Sequence, residues 1–158
     1  MASEAIQKLM AAQDGIAHRV TPCRLFSTQA RRQYAGGLID VIFIDGSHAY
    51  EDVRLDFRDW LPLLAPGGVV AINDVIWPGV LRALLEVVIR PSSGLHSPAI
   101  LDNTLFMTYS PEAATWGRRA RLALFRIELV LRFLLGRAII LGRRLRVRSA
   151  EAPRPGPG

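Results

Sequence analysis

The sequence has little of what builds a disulfide-rich or secreted protein. Its 158 residues include a single cysteine, Cys23, which excludes an internal disulfide framework and a Cys-x-x-Cys metal pair. The first ten residues carry Glu4 and Gln7 and lack a long apolar core, so we expect no secretory signal peptide. Half of the residues are hydrophobic and 22% are charged, which is the composition of a globular domain. Together these features predict a cytoplasmic protein, since the lack of cysteine pairs suits a reducing compartment.

Acidic residues are scarce only in the last third of the chain. Through Ser110, eight Arg and one Lys face eleven acids, whereas from Pro111 onward eleven Arg face three acids. The net charge of +6 and the sequence pI of about 10.6 therefore describe the C-terminal region and not the body. We do not expect a nucleic-acid interface, because the basic region also carries a large apolar face and has no interleaved aromatic residues.

Short apolar runs alternate with helical patterns along the body. The runs 41–44 and 69–72 are β-branched and bounded by turn residues, which predicts buried parallel strands. This alternation favours an α/β fold with a mainly parallel, Rossmann-like sheet, helices on both faces and a closing antiparallel hairpin. The other predicted elements are a short strand at 20–25, helices at 3–12, 27–34, 50–64 and 78–90, a tight turn at 65–68, and a hairpin of 99–101 with 104–109.

Polar side chains follow both apolar runs. Asp45 comes directly after the first, and Asn73 and Asp74 follow the second. Open α/β sheets bind ligands at the carboxyl ends of their strands, and Mg²⁺ accepts carboxylate and amide oxygens. These three residues either form a metal site or only cap the strand ends. His48 is the candidate general base, because imidazole titrates near neutrality, and its alternative role is to anchor the loop.

The motifs at these strand ends carry a family resemblance. The run IDGSHAYED at 44–52, followed by WLPLL at 60–64, PGG at 66–68 and NDV at 73–75, resembles the class I S-adenosylmethionine-dependent methyltransferases. It is most similar to the branch whose fourth strand ends in IDGxHxYE, which is related to metal-assisted O-methyltransferases. The likeness covers residues 3–110.

The resemblance implies O-methyl transfer from S-adenosylmethionine to a small hydroxylated acceptor, with Mg²⁺ as a second cofactor. It implies catalytic roles for His48 and Asp45, and metal binding by Asp45, Asn73 and Asp74. Phe26, Ser27 and Asp45 are the implied cofactor contacts. Catechol-type relatives carry Asp then Asn after the fifth strand, whereas this chain has Asn73 then Asp74.

Two family features have no counterpart in the sequence. The glycine-rich loop after the family's first strand is absent before residue 46, and so is the acid that ends its second strand. The chain is therefore expected to look like the C-terminal two-thirds of a methyltransferase, with 20–25 as the third strand. A truncated or misplaced start explains this best; a second chain that supplies the rest, or a degenerate remnant, are the alternatives.

The C-terminal region predicts a separate element. We divide the chain into a partial methyltransferase domain at 1–111, a basic amphipathic helical extension at 112–148 and a flexible Pro/Gly-rich tail at 149–158. Central Arg residues disfavour a membrane span. The extension either lies on the inner face of an anionic membrane, or it docks on the domain or on a second copy of the chain. A non-catalytic, methyltransferase-like protein that binds a membrane or partner through this helix is the alternative function. The predicted apolar face of the helical extension comprises Ala123, Ile127, Leu131, Leu134, Ala138 and Leu145. It is flanked on one side by Arg119, Arg126, Arg137 and Arg144, and on the other by Arg121, Glu128, Arg132 and Arg143.

Overall fold

The computed structural model describes residues 19–150, and its contacts divide the chain into two units, Met1–Gly36 and Gly37–Gly158. In the first unit, one helix is described, α1 (Ser27–Gln33). The strand predicted at 20–25 is wrong, because these residues form no strand and all but Val20 are exposed. Pro22 offers no backbone N–H to a sheet ladder. The helix predicted at 3–12 and most of the predicted tail lie outside the described residues.

The second unit contains a four-stranded sheet. Its strands are β1 (Ile39–Ile44), β2 (Leu64–Ile72), β3 (Leu95–Leu101) and β4 (Thr104–Tyr109), in the order β1-β2-β4-β3. β1 and β2 are parallel, and β4 pairs antiparallel with both β2 and β3. Ile72 lies opposite both Ile44 and Leu105. The carboxyl ends of β1 and β2 and the start of β4 therefore meet at one end of the sheet.

The helices that follow β1 and β2 are shorter than the predicted ranges 50–64 and 78–90. α2 (Tyr50–Trp60) stops before Pro62, which lies in a 3-10 turn, Leu61–Leu63. α3 (Pro78–Ala83) continues as a π turn, Leu84–Val88. A 3-10 turn, Pro91–Ser93, precedes β3, and the long helix α4 (Trp116–Ala150) follows β4. Contacts place the domain boundary at Gly36, and the boundaries predicted from composition at 111 and 148 stay predictions.

The two central strands depart from their predicted form. β2 begins at Leu64, so the tight turn predicted at 65–68 lies within the strand. The register shifts there, since Leu64 pairs with Ile39 but Val69 pairs with Val41. Residues 65–68 therefore bulge out of the ladder, with Gly67 at a φ of 81° that favours glycine.

β1 is not buried on both faces as its apolar sequence predicts. Val41 and Phe43 are 64% and 61% exposed, whereas Ile42 is buried in the core. Of the three strand pairings among the described residues, only β1 with β2 is parallel, so the described sheet is mixed rather than mainly parallel. The α/β class, the antiparallel closing hairpin and the C-terminal helix are confirmed.

Candidate functional site

Asp45 and Asn73 meet at the ends of the two parallel strands. The backbone N–H of Asn73 donates to the carbonyl of Ile44 at 2.9 Å, which extends the ladder by one bond. The Asn73 side-chain amide donates to Asp45 Oδ1 at 3.0 Å. Thr104, the first residue of β4, donates its hydroxyl to Asn73 Oδ1 at 2.8 Å. Asn73 is thus fixed from both sides, with its nitrogen toward the carboxylate.

Asp74 is the centre of a second group of contacts. Its backbone takes a left-handed conformation, with a φ of 56°, and its carboxylate accepts two bonds. Asn103 donates to Oδ1 at 2.6 Å, and His48 Nε2 lies 2.8 Å from Oδ2. The hairpin therefore positions Asp74, and Asp74 positions the imidazole.

Trp77 covers the other side of His48. The two rings stack with centroids 4.7 Å apart and planes 8° from parallel. Trp77 is half exposed, so it is a surface residue of the site rather than a core aromatic. The imidazole is held in its plane by Trp77 and in its direction by Asp74, which favours one orientation of the ring.

The loop that carries His48 packs tightly on the start of α3. Ser47 does not cap α2: its Oγ accepts a bond from the Ala49 N–H at 3.1 Å, and the N-cap position is Ala49 itself. A Cβ on Gly79 would lie 2.2 Å from the His48 carbonyl oxygen. Only a glycine permits this approach of α3 to the loop.

A cluster of three side chains joins α2 to the π turn. The Tyr50 hydroxyl donates to Glu86, and the Arg82 guanidinium lies 3.9 Å from the Tyr50 ring centroid while it donates to Glu86 at 3.1 Å. The bond from Tyr50, and then the bond from Arg82, lowers the pKa of Glu86. The same bond to Glu86 raises the pKa of Tyr50. Tyr50 therefore has a polar role besides the packing role that its position predicts.

Little space is enclosed beneath this site. The cavity lined by residues of the β1 loop, together with Ile72, Asn73 and Val80, measures about 10 Å³. That is room for one water at most. A molecule larger than water therefore does not fit in this cavity, whereas the face formed by His48 and Trp77 is open to solvent.

Comparison with known families decides how this arrangement is to be interpreted. A family model described as a methyltransferase domain matches residues 2–75, a range that includes Asp45, His48 and Asn73-Asp74. Residues 2–75 are therefore similar to the methyltransferase domain family. The resemblance predicted from the Asp-Gly-Ser-His and Pro-Gly-Gly motifs is confirmed.

Individual relatives match only parts of this chain. An uncharacterized protein, y4gI, of Sinorhizobium fredii is 38% identical over 47 residues, which are 30% of this chain and 5% of that protein. Among solved structures, an O-methyltransferase family protein from Burkholderia thailandensis is 21% identical, with a TM-score of 0.46 over 69% of this chain and 41% of that chain.

Two antibiotic-pathway methyltransferases are also similar. The TDP-rhamnose 3′-O-methyltransferase CalS11 of calicheamicin biosynthesis gives 16% identity and a TM-score of 0.42, over 54% of this chain and 38% of that chain. MycE of the mycinamycin pathway was solved with Mg, SAH and mycinamycin VI. It is 23% identical to this chain, with a TM-score of 0.39 over 58% of this chain and 31% of MycE. These TM-scores are too low for the activities of these enzymes to be transferred. The chain spans well under half the length of each protein named.

The predicted metal ligands do not form a ready cation site. Among the described residues no group of three or more His, Cys, Asp or Glu side chains is arranged to hold a metal ion. Asn73 turns its nitrogen toward Asp45, and both oxygens of Asp74 are bonded to Asn103 and His48. A cation at Asp74 would share these oxygens with Asn103 and His48, because each carboxylate oxygen keeps a second lone pair. Magnesium binding stays a prediction of the family resemblance.

The predicted cofactor contacts belong to different units. Phe26 and Ser27 lie in the first unit, where Ser27 begins α1. The Phe26 ring is largely exposed, and its backbone N–H donates to the Gln29 side chain at 3.2 Å. Such a ring is accessible for stacking on a purine. Asp45 lies in the second unit, and the contact of these three residues with a cofactor stays a prediction.

Sequence reasoning missed three residues of the site. Asn103 donates a hydrogen bond to Asp74, and Thr104 donates one to Asn73, but the sequence pattern assigns both residues only to a hairpin. The pattern assigns Gly79 only to a helix. The antiparallel pairing of β4 with β2 brings the hairpin turn to the strand end. A prediction of that pairing would have identified the first two, whereas Gly79 carries no local signal.

Proposed function

We propose that this chain forms the acceptor side of an S-adenosylmethionine-dependent O-methyltransferase that acts on a small hydroxylated molecule. The observation that carries this proposal is His48, held between Asp74 and Trp77 at the carboxyl ends of two parallel strands. It lies within the residues that match the methyltransferase domain. This family match favours the enzyme over a non-catalytic protein.

His48 acts as the general base. Its Nε2 donates to the Asp74 carboxylate, an assignment that follows from the hydrogen-bond geometry, so the lone pair is on Nδ1. Nδ1 accepts the proton of the acceptor hydroxyl as the oxygen attacks. Asp74 stabilises the imidazolium that forms, and stacking on Trp77 keeps the ring in place.

The methyl donor and the acceptor need separate binding groups. S-adenosylmethionine, when bound, supplies an electrophilic methyl group for an in-line displacement. Phe26, Ser27 and Asp45 are the residues proposed to hold it. The exposed face of Trp77 is proposed to bind the acceptor beside Nδ1 of His48. No step is assigned to a metal, because Asp74 is already engaged by His48 and Asn103.

Calorimetric titration of the purified chain with S-adenosylmethionine tests the cofactor part of the proposal. Saturable binding supports it. If the chain does not bind S-adenosylmethionine, the same titration is made on a protein extended by the residues encoded upstream of Met1. Absence of binding in both proteins overturns the methyltransferase assignment.

Radiolabelled methyl transfer to a panel of small phenols and sugars tests the role of His48. We expect His48→Gln to lower kcat by about 10²–10⁴-fold, since a general base contributes that much. His96→Gln is the matched control, because His96 lies on β3. Equal activity of the two variants would exclude His48 as the base. Unchanged cofactor binding in His48→Gln would show that the loss lies in the proton transfer.

A further inference from the structure

Helix α4 has one face that packs against the body. Leu122, Phe125 and Leu129 recur at helical spacing and are buried. Arg126 donates to the carbonyl of Ile89 at 2.9 Å and so fixes the same part of the helix to the end of the π turn. The first half of α4 is therefore docked on the second unit through this inner face.

A second apolar surface lies on the opposite side of the helix. Ile127, Leu131 and Leu134 are 59%, 53% and 54% exposed, and they lie about 180° from the inner face at 100° per residue. Leu124 and Leu135 are exposed beside them. We call these five residues the outer stripe. Single exposed leucines are ordinary, but a continuous row on one helix indicates an interaction surface.

Arginine residues border the outer stripe on both sides. At 100° per residue, Arg119 and Arg137 lie on one flank, and Arg121 and Arg132 lie on the other. Among the described residues, Arg132 alone of these four arginines has a carboxylate partner, Glu128, at 2.8 Å. A partner of the stripe must therefore combine an apolar interior with negative charge on both margins.

Positive charge also lies where the helix meets β3. Arg118 and Arg121 line a cavity of about 140 Å³ together with His96 of β3. Burial, and then these two guanidinium groups, lowers the pKa of His96. The two guanidinium groups beside the cavity give this region of the surface positive charge, which favours an anionic ligand.

Charge decides between the two partners that could cover an apolar stripe. A second copy of this chain would bring its own arginine flanks against the first, and like charges at close range destabilise such a pair. An anionic bilayer places acyl chains under the stripe and headgroup phosphates beside the arginines. In the described part of the chain, none of the helices combines the length and the apolar character that crossing a membrane requires.

We propose that α4 binds an anionic membrane surface in the plane of the bilayer, through the outer stripe and its arginine flanks. The inner face remains docked on the body, so binding requires no unfolding of the helix. Trp116, at the start of the helix, is 84% exposed, and its angular position is that of Leu134. Its indole ring therefore inserts at the interface, where tryptophan is favoured.

Co-sedimentation of the full chain with phosphatidylcholine vesicles, with and without phosphatidylserine, tests the proposal. We expect binding to the anionic vesicles only, weakened by salt. The triple change Ile127→Gln, Leu131→Gln and Leu134→Gln should lower the partition coefficient about tenfold or more. Leu101→Gln is the matched control, since it removes an equally exposed leucine from the end of β3. The far-UV circular dichroism of all variants should match that of the parent.

Three further variants separate charge from apolar contact. Arg119→Gln and Arg137→Gln should each weaken binding about fivefold at low salt, as loss of one basic group near an anionic surface does. Trp116→Phe should remove the blue shift of fluorescence on vesicle addition. The proposal is overturned if the parent chain does not bind anionic vesicles. It is also overturned if sedimentation shows a dimer that the triple change dissociates.

Discussion

The strands β1 and β2 end side by side at the candidate site, yet they are held in different ways. β2 lies between two neighbours, and Val70 and Ile72 are fully buried. β1 is an outer strand of the described sheet, and three of its six residues are exposed, among them Val41 and Phe43. Asn73 and Asp74 therefore extend from a strand that is packed on all sides, and Asp45 from one that is packed on one face.

The loop after β1 compensates for this difference through contacts with α3. Gly79 approaches the His48 carbonyl, and Glu86 accepts the hydroxyl of Tyr50. The position of His48 thus depends on helix contacts as well as on the sheet. The two halves of the site should respond differently to mutation.

The largest difference is expected between core substitutions in the two strands. Ile72→Ala should lower the free energy of unfolding by about 2–5 kcal/mol, because it leaves a cavity in a filled core. Val41→Ala should change it by less than about 0.5 kcal/mol, because the side chain is mostly in water. Chemical denaturation measures both. Similar losses would show that β1 is covered as completely as β2 in solution.

The contact between α3 and the loop gives the next largest effect. Gly79→Ala should lower the free energy of unfolding by about 1–3 kcal/mol, because its Cβ has no room beside the His48 carbonyl. The loop should also move, which a change in Trp77 fluorescence would report.

Gly117→Ala is the control for this substitution. A Cβ at Gly117 meets nothing within 4 Å, and the position is helical, so this variant should be stabilised by about 0.5–1 kcal/mol. A Gly79 variant as stable as the parent would mean that α3 does not hold the loop.

Local patterns were sufficient to predict much of this arrangement. Residues 41–44 and 69–72 lie in strands, a helix begins at Tyr50, and Asp102-Asn103 joins a hairpin. Each of these signals is contained within a few neighbouring residues. Asp45, Asn73, Asp74 and His48 were likewise predicted to meet at one end of the sheet, and their hydrogen bonds show that they do.

Non-local packing could not be predicted in the same way. An apolar run has the same sequence whether both faces or one face is covered, so the exposure of Val41 and Phe43 gave no signal. The partners of Asp74 could not be predicted either. Its carboxylate contacts Asn103 and His48, and the contact with Asn103 depends on the pairing of β2 with β4.

The contact with Asn103 of the hairpin distinguishes Asp74 from Asp45, because the hairpin supports only Asp74 directly. Asn103→Ala removes one of the two partners of the half-buried Asp74 and should cost about 1–1.5 kcal/mol of stability. Asp45→Asn should cost less, because the Asp45 side chain is exposed. Chemical denaturation measures the stabilities, and the imidazole NMR resonances of His48 should shift only in the Asn103 variant. A larger loss of stability in Asp45→Asn than in Asn103→Ala would contradict the hypothesis that the hairpin holds the site.

The smallest expected effect concerns the Tyr50–Glu86 contact and its dependence on pH. The bond from Tyr50 is the main cause that lowers the pKa of Glu86 below its ordinary value of 4.5. A carboxyl group whose pKa is lower in the folded state contributes stability above its ordinary pKa and loses it as the pH falls through the folded value. Tyr50→Phe should therefore move the Glu86 titration, followed by NMR of the carboxyl carbon, back toward 4.5. Tyr109→Phe, in β4, should leave it unaltered. If Tyr50→Phe also leaves it unaltered, Arg82 and not Tyr50 sets the charge of Glu86, and the loop after β1 is held by Gly79 without help from this contact.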